Sequence, residues 1–228
     1  MIQNILFDLD DTLLDFRTAE KTALTKTLLH LGIEPKEETL ARYSALNLAQ
    51  WKLLEQGKIT REEVKVRRYQ LLFDEIGAEC SAADATEYYE RQLGIGHYFI
   101  DGAEELLKKL SKDYRLYLVS NGSAAVQKGR IESADIARYL KGIFISQQIG
   151  FDKPSAAFFT RCFSKIPGFE KRKTIIVGDS LSSDIKGGKN AGITTVWFNP
   201  DRVENNSGIR PDYEIDRLLD LIPLLKTL

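Results

Sequence analysis

Five short runs rich in β-branched and other apolar residues, Ile2 to Phe7, Leu116 to Ser120, Gly142 to Ser146, Thr174 to Gly178 and Thr194 to Phe198, are separated by stretches with helical periodicity. Runs that are apolar almost throughout suit strands buried on both faces, and their alternation with helices predicts an α/β core, a parallel sheet covered by helices. With 228 residues and 43% hydrophobic content, the chain can bury one substantial core, and a second small one if part of it is an inserted unit.

The interval from Asp15 to about Phe99 supplies that insertion. It is far longer than a single crossover helix needs and holds no convincing strand. A first helix from about Phe16 to Leu31 carries Phe16, Ala19, Ala23, Thr27 and Leu31 on one stripe and is closed by Gly32. A second follows Pro35, with Leu40, Tyr43, Asn47, Trp51 and Leu54 at helical spacing, and stops at Gly57. In the third, Thr60 caps, Glu63 is its capping-box partner, and Ile59 staples onto Val64. A fourth follows Ser81 and ends near Gly94. The predicted organisation is an α/β core from residues 1–15 and 99–228, with a four-helix cap over 16–98. Farther on, Asp101 with Glu104 opens a helix bearing Leu106, Leu107 and Leu110, Pro154 opens another, and Gly192 closes the helix before the fifth strand. Asp201 to Tyr213 is a polar loop, leading to a short edge strand and a terminal helix.

Charge excludes some functions. The 32 basic and 33 acidic residues leave a formal charge of −1, with no broad field for a nucleic-acid polymer or an anionic membrane. Cys80 and Cys162 are too few for a disulfide scaffold and fit a reducing compartment. No apolar run approaches the roughly 20 residues of a membrane span, and the N-terminus lacks the layout of a signal peptide. A cytoplasmic protein, a monomer or small homo-oligomer, is expected.

In parallel α/β sheets, ligands bind beyond the carboxyl ends of the strands. Asp8, Asp10 and Asp11 follow the first run, Ser120-Asn121-Gly122 the second, Lys153-Pro154 the third and its loop, and Gly178-Asp179-Ser180, then Asp184, the fourth. Carboxylates crowded into a small volume need a counter-charge, and Mg²⁺, which takes few carboxylates and favours phosphate oxygens, fits best. Asp8 and Asp179 are expected as side-chain ligands, with the Asp10 carbonyl a third. Asp184 either binds the metal, directly or through water, or orients Lys153.

A carboxylate beside Mg²⁺ can attack phosphorus, the role expected of Asp8, while Asp10 protonates the leaving oxygen and later takes a proton from water. Ser120, with the Asn121 and Gly122 backbone N–H groups, suits the phosphate, and Lys153 the charge on the transferring group. Asp11 and Asp15 are expected to be solvated or to cap the next turn. Tyr43 and Trp51 are expected in the cap core, and His30 and His97 carry no role.

Taken together, "DLDDT", "SNG", "DKP" and "GDSLSSD", with a helical insertion after the first motif, resemble the haloacid dehalogenase superfamily of aspartate-nucleophile phosphatases over essentially the whole chain. The resemblance implies a Rossmann-like sheet of order 3-2-1-4-5 and the roles already given to Asp8, Asp10, Ser120, Lys153 and Asp179. The dehalogenases of that superfamily lack the second acid of the first motif, so Asp10 favours a phosphatase. The cap segment "LNLAQWKLLEQGKITREEVKVRRYQLLF" resembles that of bacterial pyrimidine 5'-nucleotidases through Asn47, Trp51, Gly57, Ile59-Thr60 and Arg68. That second resemblance implies a nucleoside monophosphate as partner and selection by Asn47, Trp51 and Arg68. The alternatives are a phosphatase or phosphomutase of sugar or other small metabolite phosphates, a 2-haloacid dehalogenase, and a non-catalytic phospho-receiver.

Overall fold

The computed structural model describes residues 1–228. In chain order the elements are β1 (Asn4–Phe7), α1 (Phe16–His30), α2 (Glu37–Glu55), α3 (Arg61–Ile76), α4 (Ala82–Gly94), α5 (Ala103–Leu110), β2 (Arg115–Ser120), α6 (Ala124–Ser133) and β3 (Leu140–Ile145). They continue with α7 (Ser146–Ile149), α8 (Ala156–Phe163), β4 (Thr174–Gly178), α9 (Lys186–Ala191), β5 (Thr194–Phe198), β6 (Tyr213–Ile215) and α10 (Leu221–Leu225). The chain divides into two compact units, one of Met1–Phe16 with His97–Leu228 and the other of Arg17–Gly96.

The first unit is built on a six-stranded sheet of order β3-β2-β1-β4-β5-β6, parallel at every pairing. The expected order 3-2-1-4-5 is present, and the short edge strand expected near Tyr213 extends it as β6. Because the chain winds outward through β2 and β3 on one side of β1 and through β4 to β6 on the other, the order reverses between β1 and β4. That is the place where such sheets open a crevice for a ligand.

The apolar runs fill both faces. Ile5, Phe7, Leu118, Val177 and Val196 pack with α5 and α10 on one side, and Leu6, Val119, Ile176 and Phe158 belong to the core on the other. Where the chain leaves this unit and returns, Leu14 and Phe99 form an antiparallel bridge and the Asp15 N–H donates to the Tyr98 carbonyl at 2.8 Å. Asp11, at φ 56°, accepts the Phe16 N–H at 2.9 Å and so caps the following turn.

Two helix starts differ from expectation. The N-cap of α5 is Gly102, in the left-handed region at φ 76°, one residue beyond Asp101. Pro154 precedes α8 without opening it, and the Ser155 hydroxyl accepts the Ala157 N–H at 3.2 Å. A short polar side chain satisfies an orphan donor that a proline cannot.

The second unit holds four helices, α1 to α4. Thr60 and Glu63 form the reciprocal capping box, and the Ser81 hydroxyl accepts the Asp84 N–H at 3.2 Å. Tyr43, Tyr69 and Tyr89 pack as an aromatic core with centroids 4.9 to 5.9 Å apart. No helix is long and apolar enough to cross a membrane.

α9 lies close on the sheet because Gly188 carries no side chain, and close on Phe159 of α8 because Gly187 carries none. A Cβ on Gly188 would sit 2.6 Å from methyl carbons of Ile176 and Thr195. Gly188→Ala should therefore destabilise the protein by about 1–3 kcal/mol, the usual cost of overpacking a filled core. A urea midpoint equal to that of the wild type would contradict this packing.

Candidate active site

The candidate residues of the sheet-bearing unit follow the carboxyl ends of its strands, directly or through a loop or turn. Asp8 follows β1, and its N–H donates to the Val177 carbonyl on β4 at 2.9 Å, which sets it at the switch point. Ser120 ends β2, Lys153 lies between α7 and α8, and Asp179 follows β4. Asp184 lies in a single π-type turn, Leu181–Ile185, that leads into α9. This turn folds Asp184 back against the end of β4, where a Cβ on Gly178 would overlap its carboxylate. One oxygen each from Asp8, Asp179 and Asp184 lie within 4.8 Å of one another.

The only ammonium bonded to this group is that of Lys153, whose residue is 1% exposed. Its Nζ donates to Asp8 Oδ1 at 2.5 Å, to Asp184 Oδ1 at 2.7 Å and to the Val119 carbonyl at 2.8 Å, using all three donors. Burial alone would lower its pKa, but Asp184 and Asp8 outweigh that and hold the ammonium above the ordinary lysine value. Burial pushes the Asp8 carboxyl up to about 8; Lys153 opposes the shift, while Asp184 and Asp10 add to it. Asp179 is driven well above the usual carboxylate range by burial and by repulsion from Asp8, Asp184 and Asp11. One ammonium against three carboxylates leaves excess negative charge on oxygen donors alone, and that donor set fits a hard divalent cation.

The surroundings hold these groups in place. Asp179 is tied to Thr12, whose hydroxyl donates to Oδ1 at 3.3 Å and accepts the Asp179 N–H at 3.1 Å, and its carbonyl accepts the Trp197 indole N–H at 2.7 Å. The Ser180 N–H donates to Asp184 Oδ2 at 3.2 Å. Asn121 and Lys153 are joined reciprocally: the Asn121 amide donates to the Lys153 carbonyl at 3.0 Å and accepts the Lys153 N–H at 2.9 Å. The Asn121 side chain thus fixes the loop that carries the lysine.

Asp10 lies outside the carboxylate group. Its Oδ1 accepts from Arg130 Nη1 and its Oδ2 from Gln127 Nε2 at 2.7 Å, and Gln127 Nε2 also reaches the Ser120 hydroxyl at 2.7 Å. The Gly122 N–H donates to the Ser146 hydroxyl at 3.2 Å, and a Cβ on Gly122 would meet the Gln127 side chain at 3.0 Å. Gly122 therefore makes room for Gln127. Thr12, Gln127 and Arg130 escape the sequence reading. For the last two the available signal is that polar residues interrupt the buried stripe of α6 between Val126 and Ile131.

In the helical unit, Asn47 and Arg68 are buried and bonded to each other, Arg68 Nη1 donating to Asn47 Oδ1 at 3.0 Å. The Asn47 amide also donates to Glu20 Oε1 at 2.6 Å, and Ser44 donates to Glu20 Oε2. Burial, partly offset by Ser44, Asn47 and Arg68, raises the Glu20 pKa. The Arg68 guanidinium lies 4.7 Å from the centroid of the fully buried Tyr89 ring. Trp51 is only half-buried, because the buried face of α2 passes through Gln50.

The haloacid dehalogenase-like hydrolase family model matches residues 5–198. The chain is 40% identical over 222 residues to the pyrimidine 5'-nucleotidase PynA of Streptococcus pneumoniae, covering 97% of this chain and 94% of that protein. It is 27% identical over 221 residues to the pyrimidine 5'-nucleotidase YjjG of Escherichia coli, covering 97% and 96%. Among solved structures, that of YfnB from Bacillus subtilis bound to magnesium matches with a TM-score of 0.94 at 40% identity, covering 98% of both chains.

The charge imbalance has a measurable sign. Asp8 binds its proton more tightly in the folded chain than in the unfolded one, where the ordinary value is 3.8. In EDTA its contribution to stability is therefore most favourable below that value and declines as the pH rises toward about 8. The stability difference between wild type and Asp8→Asn should move against the wild type between pH 5 and 8, and added Mg²⁺ should oppose the change. Thermal midpoints of both proteins, with and without Mg²⁺, check this; a difference that ignores pH and cation would refute the imbalance.

Proposed function

Because the chain belongs to the haloacid dehalogenase-like hydrolases, we propose that it is a Mg²⁺-dependent phosphomonoesterase acting through an aspartyl-phosphate, with pyrimidine nucleoside 5'-monophosphates as its substrates. The observation that carries this is the Asp8–Lys153–Asp184 cluster with a second acid, Asp10, two residues along and held by separate partners. A halide leaves without a proton, whereas an alkoxide needs one, so a filled Asp10 position favours phosphate esters. The pyrimidine preference rests on the resemblance to PynA and YjjG.

Asp8 is the nucleophile. Its carboxylate oxygen forms a bond to phosphorus as the ester P–O bond breaks, and the protonated Asp10 gives its proton to the departing oxygen. Asp10, now a carboxylate, takes a proton from the water that attacks the aspartyl-phosphate; inorganic phosphate leaves and Asp8 is regenerated. Lys153, fixed by Asp184 and the Val119 carbonyl, presents positive charge beside the attacking carboxylate. Ser120 and the backbone N–H groups of Asn121 and Gly122 are assigned to the phosphate oxygens, Gly122 by exchange of its bond to Ser146. Mg²⁺, held by Asp8, Asp179 and the Asp10 carbonyl with Asp184 beside them, would supply positive charge against the phosphoryl oxygens. Asn47, Trp51 and Arg68 are assigned to substrate selection, Asn47 and Arg68 through the network they share with Glu20.

Phosphate release with Mg²⁺ and with EDTA, across UMP, dUMP, dTMP, AMP, GMP and glucose 6-phosphate, tests the assignment. Release should require the cation and favour the pyrimidine nucleotides; preference for the sugar phosphate would discard the nucleotide reading and keep the chemistry. Asp8→Asn should abolish turnover, and Asp10→Asn should slow it by about 10² or more, as expected for lost acid–base catalysis. Wild-type turnover in Asp8→Asn would sink the nucleophile assignment.

A further inference from the structure

Arg130 is the largest fully buried side chain in the protein, at 0% exposure. Its Nη1 donates to Asp10 Oδ1 and lies 3.4 Å from Gln127 Oε1, while Nε and Nη2 have no partner. A buried ion pair made through one nitrogen, with two donors left unsatisfied, is a poor source of stability, since desolvation of the guanidinium offsets most of the attraction. Its retention at the carboxylate two residues after the nucleophile calls for another account.

Gln127 and Arg130 are three residues apart on α6 and so share a face. From that face they reach both oxygens of one carboxylate, and Gln127 ties the same carboxylate to Ser120. Each carboxylate oxygen has two lone pairs, so accepting these bonds leaves one on each oxygen to carry or take a proton. Gly122 packs against the device, because a Cβ there would meet the Gln127 side chain at 3.0 Å and crowd it. The guanidinium also lies 5.5 Å from the Phe16 ring centroid, on the segment that follows Asp10.

We propose that Arg130, with Gln127, is a positioning residue for the proposed phosphomonoester hydrolysis, clamping the Asp10 carboxyl where it delivers a proton to the leaving oxygen. The proposal rests on the assignment of Asp10 as the general acid. It predicts a dependence on the leaving group that a merely structural arginine does not produce. An ester whose alcohol leaves readily as an anion needs little help from a positioned acid, whereas an alkyl ester needs it fully.

The test compares kcat/KM, which reports the steps through formation of the aspartyl-phosphate, for p-nitrophenyl phosphate and benzyl phosphate with Mg²⁺. Arg130→Leu should lose roughly tenfold or more activity on benzyl phosphate beyond its loss on p-nitrophenyl phosphate, a part of the range attributed to acid–base catalysis. Gln127→Leu should show the same bias in weaker form, and Arg130→Lys should recover part of the benzyl phosphate activity. If Arg130→Leu fails to fold by circular dichroism, Gln127→Leu and Arg130→Lys carry the comparison. Equal losses on both esters, or none on either, in folded variants would overturn the clamp. If the wild type releases phosphate neither from these esters nor from the nucleotides and sugar phosphate above, the phosphomonoesterase assignment itself fails and the clamp falls with it.

Discussion

The Lys153 ammonium is the interaction on which the rest of the site depends. A positive charge at 1% exposure is tolerated only with its donors satisfied, and it is satisfied by Asp8 after β1, Asp184 after β4 and the Val119 carbonyl of β2. Three strand ends are thereby drawn to one point. Asn121 secures the lysine backbone from the end of β2, and Gly178 leaves the space that Asp184 enters. The same bond set is left electrically incomplete, with Asp179 the third carboxylate of the group. Stability alone would favour neutralising that excess; a site for a cation and a phosphoryl group requires it.

Asp8 and Asp10 are two residues apart and meet different surroundings. Asp8 is 6% exposed and shares one ammonium with Asp184, while Asp10 is more open and is bonded to a guanidinium and to the Gln127 amide. Acid–base chemistry assigns different tasks to neighbouring carboxyls by giving them different environments. Here the division is made by elements distant in sequence: the loop bearing Lys153 serves Asp8, and α6 serves Asp10. Gln127 joins the two systems through Ser120, so the residue assigned to the phosphate and the residue assigned to the proton are held by one amide nitrogen.

How much of this was legible follows from the range of each interaction. The strands were legible to within about two residues at their ends because each is a continuous apolar run, whereas their order came only from the family resemblance that the four motifs carry. β4 and β5 coincide with the expected runs, whereas β3 starts at Leu140, before the expected Gly142. The four acids could be read because they crowd a few positions after strands. Gln127 and Arg130 could not, since their meaning lies in a carboxylate 117 and 120 positions away. At Gly122 the space a side chain would fill is taken by Gln127, a contact that the motif itself does not display. Pro154 and Asp101 missed at shorter range: Ser155 caps α8, and Gly102 occupies the N-cap position of α5.

The helical unit shows why a buried polar network is harder to read than an apolar stripe. Its helices were predicted from apolar stripes, yet its interior carries Glu20, Asn47 and Arg68 in one bonded chain beside three buried tyrosines. Glu20 was passed over because an acid next to Ala19 looks like the solvated edge of a stripe. Its burial is decided by partners on α2 that lie 24 and 27 positions on. In such a network every member satisfies another, so the cost of removing one is the cost of leaving its neighbours unpaired. Asn47 illustrates this, since its amide serves Glu20 and its carbonyl serves Arg68 at once. A change at Asn47 or Arg68 therefore alters the whole arrangement, and any selectivity they confer is a property of the chain Glu20–Asn47–Arg68, which no single position in the sequence displays.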